Sequence, residues 1–513
     1  MEPPVHYLIT GSAPLARGKL LCTALGGGTP RAEHVRATGL DTFDGRLRAA
    51  GRILSLERRG RHHVLTLRRA GSERLDFTGE VPRPPRFAAD FPTAGLAKLA
   101  GRLLGPRALL PAASFDIERL CYGLHAPNGK LLTEILLERI DGPRLRRHYG
   151  SAMVVLRLRA LRGYEAARDA LADHLAHEPD LEPLPVDLAV FVAEAAGGAP
   201  HRYVTKPSVT LAPDCAAAAG AAAVLKANFA VMRANEWGIR ADVDPEFLHD
   251  FRVAMRRMRS VFMDFRREFA PEDVDRFRAE FGWLNRVTGR PRDLDVMRAV
   301  LPERLAAAGI DAPLAAEIMA RLEPLREAAR AELLGALGGE RYRGFAAAWG
   351  RLLGRAARTR SGAPPLAKRA ARAIAKRHRR IIEHPWRPAA AGALDSMHAL
   401  RKECKKLRYL LESFQSLYAP RAVKRAVGTL KTLQSAMGEA FDLHVQRALI
   451  AEIRPVAPGD PECAMLGEAL IALDAAFAAA QARWIEAAAA ALDDFRAASD
   501  RRLYRDLLRS TTP

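Results

Sequence analysis

One pattern occurs twice in this chain, 149 residues apart, and a sequence that repeats itself at that distance has to fold as two related halves. From His249 to Arg259 it reads His-Asp-Phe-Arg-Val-Ala-Met-Arg-Arg-Met-Arg, and from His398 to Arg408 it reads His-Ala-Leu-Arg-Lys-Glu-Cys-Lys-Lys-Leu-Arg. Counted from each histidine, basic residues stand at offsets 3, 7, 8 and 10: Arg252, Arg256, Arg257 and Arg259 in one copy, Arg401, Lys405, Lys406 and Arg408 in the other. The apolar positions recur as well, with Phe251, Met255, Met258, Phe262 and Phe265 matched by Leu400, Cys404, Leu407, Leu411 and Phe414. At about 100° per residue the histidine and offsets 3, 7 and 10 fall within roughly 80°, and the apolar set fills a separate stripe of similar width. Each copy therefore spells an amphipathic helix with a cationic edge. The register continues downstream, where Phe281, Leu284, Gly289 and Asp293-Leu294 map onto Leu430, Leu433, Gly438 and Asp442-Leu443. With 80 of 513 residues basic, one histidine and four basic residues recur in a given register about once in 10⁵ trials.

A chain of this length holds two to four domains. The excess of 80 Lys plus Arg over 59 Asp plus Glu leaves a net charge of +21, which points to a polyanionic partner: polyphosphate, nucleic acid or anionic membrane. One further stretch sharpens that expectation. Between Lys368 and Arg380 there are seven basic residues and no acid, whereas a helix that only needs solubility interleaves both signs to gain pairs one turn apart. Lys368, Arg369, Arg372, Lys376, Arg379 and Arg380 are read as a strip flanking the repeated motifs. The five cysteines are scattered without metal-ligand spacing, and Cys404 falls on the apolar stripe as a buried thiol, which suits a reducing cytoplasm. No signal peptide is read at the N-terminus, and no charge-poor apolar run is read as long enough to span a bilayer.

The doubled His-x-x-Arg-x-x-x-Arg/Lys-Arg/Lys-x-Arg pattern, each copy followed by Asp-Leu 44 residues after its histidine, resembles the CHAD domain, the conserved-histidine α-helical domain. The resemblance covers about residues 215 to 510. It implies two pseudo-symmetric helical bundles that bind inorganic polyphosphate on a basic surface, in some members at polyphosphate granules.

The first 195 residues have another texture, short alternating segments broken by Gly and Pro. Leu54-Ser-Leu-Glu and His63 to Arg68 read as strands joined by a hairpin at Arg59-Gly-Arg61, and Glu134 to Arg139 reads as a further strand. The stretch Leu40-Asp-Thr-Phe-Asp-Gly-Arg, the strands after it and Leu156-Arg-Leu-Arg-Ala-Leu-Arg-Gly-Tyr resemble the CYTH domain, an antiparallel β-barrel or triphosphate tunnel. Catalytic members open with Glu-x-Glu-x-Lys, whose carboxylates hold Mg²⁺. This chain has Val5-His-Tyr-Leu-Ile-Thr there, and Phe43 where the family has Pro. The domain is thus read as degenerate and without metal-dependent activity. Arg68 and Arg119 are read as surface arginines.

The expected architecture is an α+β tunnel-like domain over residues 1–195, a linker over 196–214, and helical halves over 215–360 and 361–510. The expected function is binding of inorganic polyphosphate, without catalysis, cofactor, metal or membrane, in the cytoplasm and at granules. The candidate ligand-contacting residues are the motif set, His249, Arg252, Arg256, Arg257, Arg259, His398, Arg401, Lys405, Lys406 and Arg408, together with the flanking strip. Partial protonation of His249 and His398 near neutral pH would strengthen anion binding. Asp293 and Asp442 are read as buried partners that hold motif arginines in place. Two alternatives stand beside this reading. One is a metal-dependent triphosphatase or polyphosphate-processing enzyme; the other is a nucleic-acid-binding module, disfavoured because Phe251, Phe262 and Phe265 lie on the apolar stripe and leave no stacking platform among the basic residues.

Overall fold

Alternation of apolar and polar residues recurs between residues 6 and 183, and strands form there accordingly. The computed structural model describes residues 6–70, 75–142, 145–146, 151–161, 163–184, 203–359, 364–388, 392–454 and 461–509. It divides the chain into two units, residues 1–204 and 205–513. Part of the expected linker, 196–202, lies outside the described residues, and 203–214 form no regular element.

In the first unit nine antiparallel strands make one sheet in the order β5-β4-β3-β2-β6-β7-β8-β1-β9. They are β1 (His6–Ile9), β2 (Arg31–Thr42), β3 (Arg52–Arg59), β4 (His62–Arg69), β5 (Leu75–Val81), β6 (Leu109–His125), β7 (Leu131–Asp141), β8 (Met153–Ala160) and β9 (Leu181–Pro183). The hairpin expected at Arg59-Gly60-Arg61 joins β3 to β4, with Gly60 at φ +62°, a conformation that suits glycine. Among the described residues the helices α1 (Pro14–Ala24), α2 (Arg46–Ala49), α3 (Ala94–Leu104) and α4 (Glu165–Leu175) accompany the sheet. The Asp-Thr-Phe-Asp-Gly turn has a local structural role. Asp41 accepts from the backbone N–H groups of Thr42, Leu47 and Arg48, and Asp44 takes the Thr42 hydroxyl and the Arg46 guanidinium. Gly45 at φ +69° then starts α2.

One face of this sheet is filled. Val35, Phe115, Ile117, Ile140, Met153 and Val155 pack together in one cluster. Beside them Glu33, Arg119 and Glu138 stand opposite one another across β2, β6 and β7. Arg119 is corrected from a surface arginine to a buried one, 4% exposed, whose guanidinium reaches Glu138 at 2.6 Å, Glu57 at 3.0 Å and Glu33 at 3.5 Å. The carboxylates win that residue because each is itself nearly out of solvent and needs a cation. Burial pushes the Glu57 carboxyl up, but Arg119 and Arg59 more than offset it and hold it at about 2. His6 on β1 is held at about 3 by burial, then by Arg157 and by Arg68 of β4. Five strands separate β1 from β4 in the sheet, so the sheet curls to bring them face to face.

The second unit is helical among the described residues. Its helices are α5 (Ala217–Ala234), α6 (Glu236–Arg240), α7 (Pro245–Asp264), α8 (Pro271–Val287), α9 (Gly289–Ala307), α10 (Ala312–Gly338), α11 (Glu340–Ala356), α12 (Leu366–Ile382), α13 (Ala393–Ser413), α14 (Pro420–Ile453), α15 (Pro461–Arg496) and α16 (Ala498–Arg509). The starts of α5, α8 and α10 fall 149 residues before those of α12, α14 and α15. The repeat thus sets the helix boundaries as well as the motif. Asp244 caps α7 through the Glu246 N–H with Pro245 at the first turn, as the Asp-Pro signal implies. Helix α5 starts after Ala216 without a side-chain cap; there the Ala217 N–H donates to the Pro364 carbonyl and Ala216 pairs with Pro365. Every apolar residue of the two motif stripes is fully buried, at 0% exposure.

The expectation that no apolar run reaches bilayer length is corrected at one place. The helix from Ala464 to Arg496 is long and apolar enough by length and composition, because alanine raises its hydropathy. It contributes Leu466, Leu470, Leu473 and Phe477 to a core shared with α9, α10 and α14.

Candidate functional site

Helices α7 and α13 carry the two motif copies and pack against each other. Their cationic edges converge. Arg252 donates through Nη1 to the Thr288 hydroxyl at 2.7 Å and to the Asn285 carbonyl at 3.3 Å, and Arg256 donates through Nε to the Arg252 carbonyl at 3.3 Å. Burial, and after it the repulsion of Arg256, brings Arg252 down to about 10 against the pull of Asp293. In the second half Arg401 lies 5.2 Å over the Phe441 ring and 3.5 Å from Asp442. The difference between the halves is local: where Thr288 receives Arg252, the equivalent position holds Met437, which offers no hydroxyl.

The centre of this arrangement is Lys405. Burial, then Arg401 and Arg256, then Arg408, push its ammonium down to about 6, with Asp442 opposing. Among the described residues no carboxylate comes within 4 Å of Lys405 or Arg256. A half-buried lysine among guanidinium groups without a counter-ion is costly, because each like charge at short range in a poorly solvated place opposes its protonation. An anion placed there would relieve Arg252, Arg256, Arg401, Lys405 and Arg408 together.

Beside the cations lies a cleft of about 360 Å³ lined by Arg290, Asp293, Asp395, His398, Phe441 and His444 among others. His398 stacks on Phe441 at 4.2 Å, and its Nδ1 is buried without a hydrogen-bond partner. Burial, then Lys402, Arg401 and Lys405, hold the imidazole at about 4. The expected partial protonation near neutral pH is therefore corrected for His398; its cationic neighbours exclude a further charge. His249 occupies the equivalent half-buried position on α7. Asp293 is half-buried and its carboxyl is raised, by burial first and also by Asp442. The two repeat acids thus face each other as well as the arginines. Asp442 is corrected from buried to exposed, with 54% of its side chain in solvent against 14% for its Arg401 partner.

The remaining motif residues go elsewhere. Arg257 is 5% exposed and donates to Glu412 at 2.5 Å, tying α7 to α13. Lys406 pairs with Glu403 at 2.7 Å, and Arg259 is exposed. The α12 strip does not flank the cleft. At 100° per residue Glu403 lies about 160° round α13 from Lys405, and Glu403 is where α12 is anchored. There Arg377 bridges Asp264 of α7, at 2.5 Å, and Glu403, at 2.6 Å, while Arg369 pairs with Glu268 at 3.0 Å. The charges that shift Lys376 are Arg380, Arg266, Arg377 and Asp264, none of them a cleft residue. Sequence reasoning passed over Arg377 and Glu403; the Glu inside an otherwise basic motif was the available signal.

Residues 223–451 match the family described as the CHAD domain. Among solved structures, the CHAD domain from the plant Ricinus communis is 25% identical over 56% of this chain and 95% of that one, with a TM-score of 0.48. PptA from Streptomyces chartreusis is 18% identical over 54% and 98%, with a TM-score of 0.41. HpAC1 from Hippeastrum, described as having a dominant triphosphatase activity, is 15% identical over 38% and 96%, with a TM-score of 0.29. No curated protein matches the chain.

Proposed function

We propose that this chain, which carries a CHAD domain in its helical unit, holds inorganic polyphosphate on the converging cationic edges of α7 and α13 without consuming it. The observation that carries the reading is Lys405, crowded by Arg401, Arg256 and Arg408 with no carboxylate in ion-pair reach among the described residues. Forked guanidinium donors suit tetrahedral phosphate oxygens. A flexible, base-free phosphate chain can follow the cationic groups along two packed helices, whereas duplex DNA presents its phosphates on a rigid, wide surface. The contacts are electrostatic and length-tolerant, so affinity falls steeply with salt as counterions are released. Binding rather than catalysis fits β1 of the first unit, which offers His6, Tyr7, Leu8 and Ile9 and no carboxylate. It also fits Glu33, Glu57 and Glu138, which are committed to Arg119. A protein that retains polyphosphate in this way belongs at polyphosphate granules in the cytoplasm, which imaging of a tagged chain against a polyphosphate stain tests.

The primary test is a competition. Labelled long-chain polyphosphate is bound to the full chain at near-physiological salt and challenged with DNA at equal phosphate concentration. Retention of the label is expected. Equal displacement by DNA would reduce the cleft to a general cationic patch and favour the nucleic-acid reading.

A further inference from the structure

The repeat provides an internal control for α12. Its pseudo-symmetric counterpart is α5, which starts 149 residues earlier and alongside it, at the Ala216–Pro365 bridge. The seven basic residues of α12 correspond to Ala219, Gly220, Ala223, Ala227, Asn228, Ala230 and Val231 in α5. A helix in that place therefore folds and packs without those charges. Two of the seven, Arg369 and Arg377, are used to anchor α12 to α7 and α13. The other five are exposed, and among the described residues Lys368, Arg372, Lys376 and Arg379 have no carboxylate within ion-pair distance. Arg380 touches Glu403 only at 3.8 Å.

These exposed cations are ordered. Lys368, Arg372 and Lys376 follow each other at one-turn spacing, and Arg379 continues the row, so that four charges stand along about 16 Å of helix. An open groove of about 570 Å³ runs beside them, lined by Arg372, Lys376, Arg379 and Arg380 with Ala375 and Glu383. Arg266 adds its charge from beyond the end of α7. Like charges at one-turn spacing repel, and neither packing nor ion pairing requires them here.

We propose that this outer edge of α12 is a second polyphosphate-binding surface, separate from the cationic edges of α7 and α13, so that one long phosphate chain is held at two points. The inference rests on the polyphosphate reading of the cleft and adds a distinct subsite to it. Linking two contacts through one chain makes the second an intramolecular event and raises the affinity for long chains only. Tripolyphosphate, too short to reach both, binds without the gain from linking the two sites.

The test compares the full-length wild-type chain with a strip variant, Lys368→Ala, Arg372→Ala, Lys376→Ala and Arg379→Ala. A cleft variant, Arg256→Glu with Lys405→Glu, is the control. Alanine favours the helix at every strip position, so folding is preserved. The strip variant is expected to keep tripolyphosphate affinity and to lose about tenfold in long-chain affinity, with the logarithmic salt slope shallower by about 3 for four contacts. Unchanged long-chain affinity and slope in the strip variant, with wild type binding normally, would overturn the second surface. So would loss of duplex DNA binding alone, which would assign the strip to nucleic acid. Failure of wild type to bind polyphosphate, or full binding by the cleft variant, would instead overturn the cleft reading.

Discussion

Phe265 stacks on Phe414, with ring centroids 5.0 Å apart and planes 27° apart, and the two residues hold the same position in the two copies of the repeat. The pair therefore marks where the halves meet, and the internal symmetry is expressed as a contact between equivalent side chains. Both rings are fully buried. Phe414→Ala is expected to destabilise the helical unit by about 3 to 5 kcal/mol, read by denaturant unfolding. Phe265→Ala should cost a similar amount. The double variant should cost less than the sum, because the second truncation removes a ring that has already lost its stacking partner. Strict additivity would mean that the two halves do not communicate through this pair.

Charge reversal in the cleft tests the binding reading. Arg252, Arg256, Arg401 and Lys405 changed together to Glu should abolish retention of polyphosphate and leave the helical circular dichroism in place. Arg259→Glu, at an exposed position of the same motif, should change affinity little at physiological salt because exposed charges are screened. Equal losses in both variants would argue for a diffuse charge effect with no defined site.

The Lys405 ammonium gives the cleft a pH dependence of definite sign. In the free protein it is held at about 6, so near neutral pH it is largely uncharged. A phosphate chain favours the charged form, so binding takes up a proton at pH values above about 6. Affinity should therefore fall as pH rises from 6 to 8, by up to about tenfold per pH unit for one proton, and level off below 6. Lys405→Arg should flatten the profile, since an arginine stays charged throughout. Titrations in buffers of different ionisation enthalpy would read the proton directly. A flat wild-type profile would remove Lys405 from the contact set.

The repeat made much of the helical unit legible before the structure. A stripe at 3.6-residue period has one way to be buried, and all ten stripe residues, Phe251 to Phe265 and Leu400 to Phe414, are buried as the period requires. What a period does not contain is which neighbour approaches the polar side. Arg256 and Arg257 are adjacent and chemically identical, yet the first faces Lys405 and the second is spent on Glu412, since one residue turns a helix by 100° and Glu412 comes from the other half. The same holds for α12, whose orientation is fixed by Asp264 and Glu403 closing on Arg377. Charge state was hidden too: His398 reads as a switch in sequence and becomes a neutral ring once burial, and after it Lys402 and Arg401, act on it.

Arg119 offers the corresponding test in the first unit. It is 4% exposed and is shared by Glu138, Glu57 and Glu33. Removing a buried cation and leaving its acids behind costs about 3 kcal/mol or more, because three desolvated carboxylates then face one another. Arg119→Met keeps the volume and removes the charge, so it should lower the melting temperature of this unit at pH 7. The pH dependence separates charge from packing. In wild type Glu57 is held at about 2; its contribution is present above the unfolded carboxyl value and is lost only as pH falls through about 2, so stability should be flat from pH 7 to 5. In the variant burial dominates and raises the carboxyl values, so the native state takes up protons and stability should increase as pH falls over the same range. Melting curves of both proteins at pH 7 and 5 decide the point. A variant that melts lower by the same margin at both pH values has lost packing alone, and the carboxylates would then be neutralised by Arg31, Arg59 and Arg157, which pair with Glu33, Glu57 and Glu138 respectively.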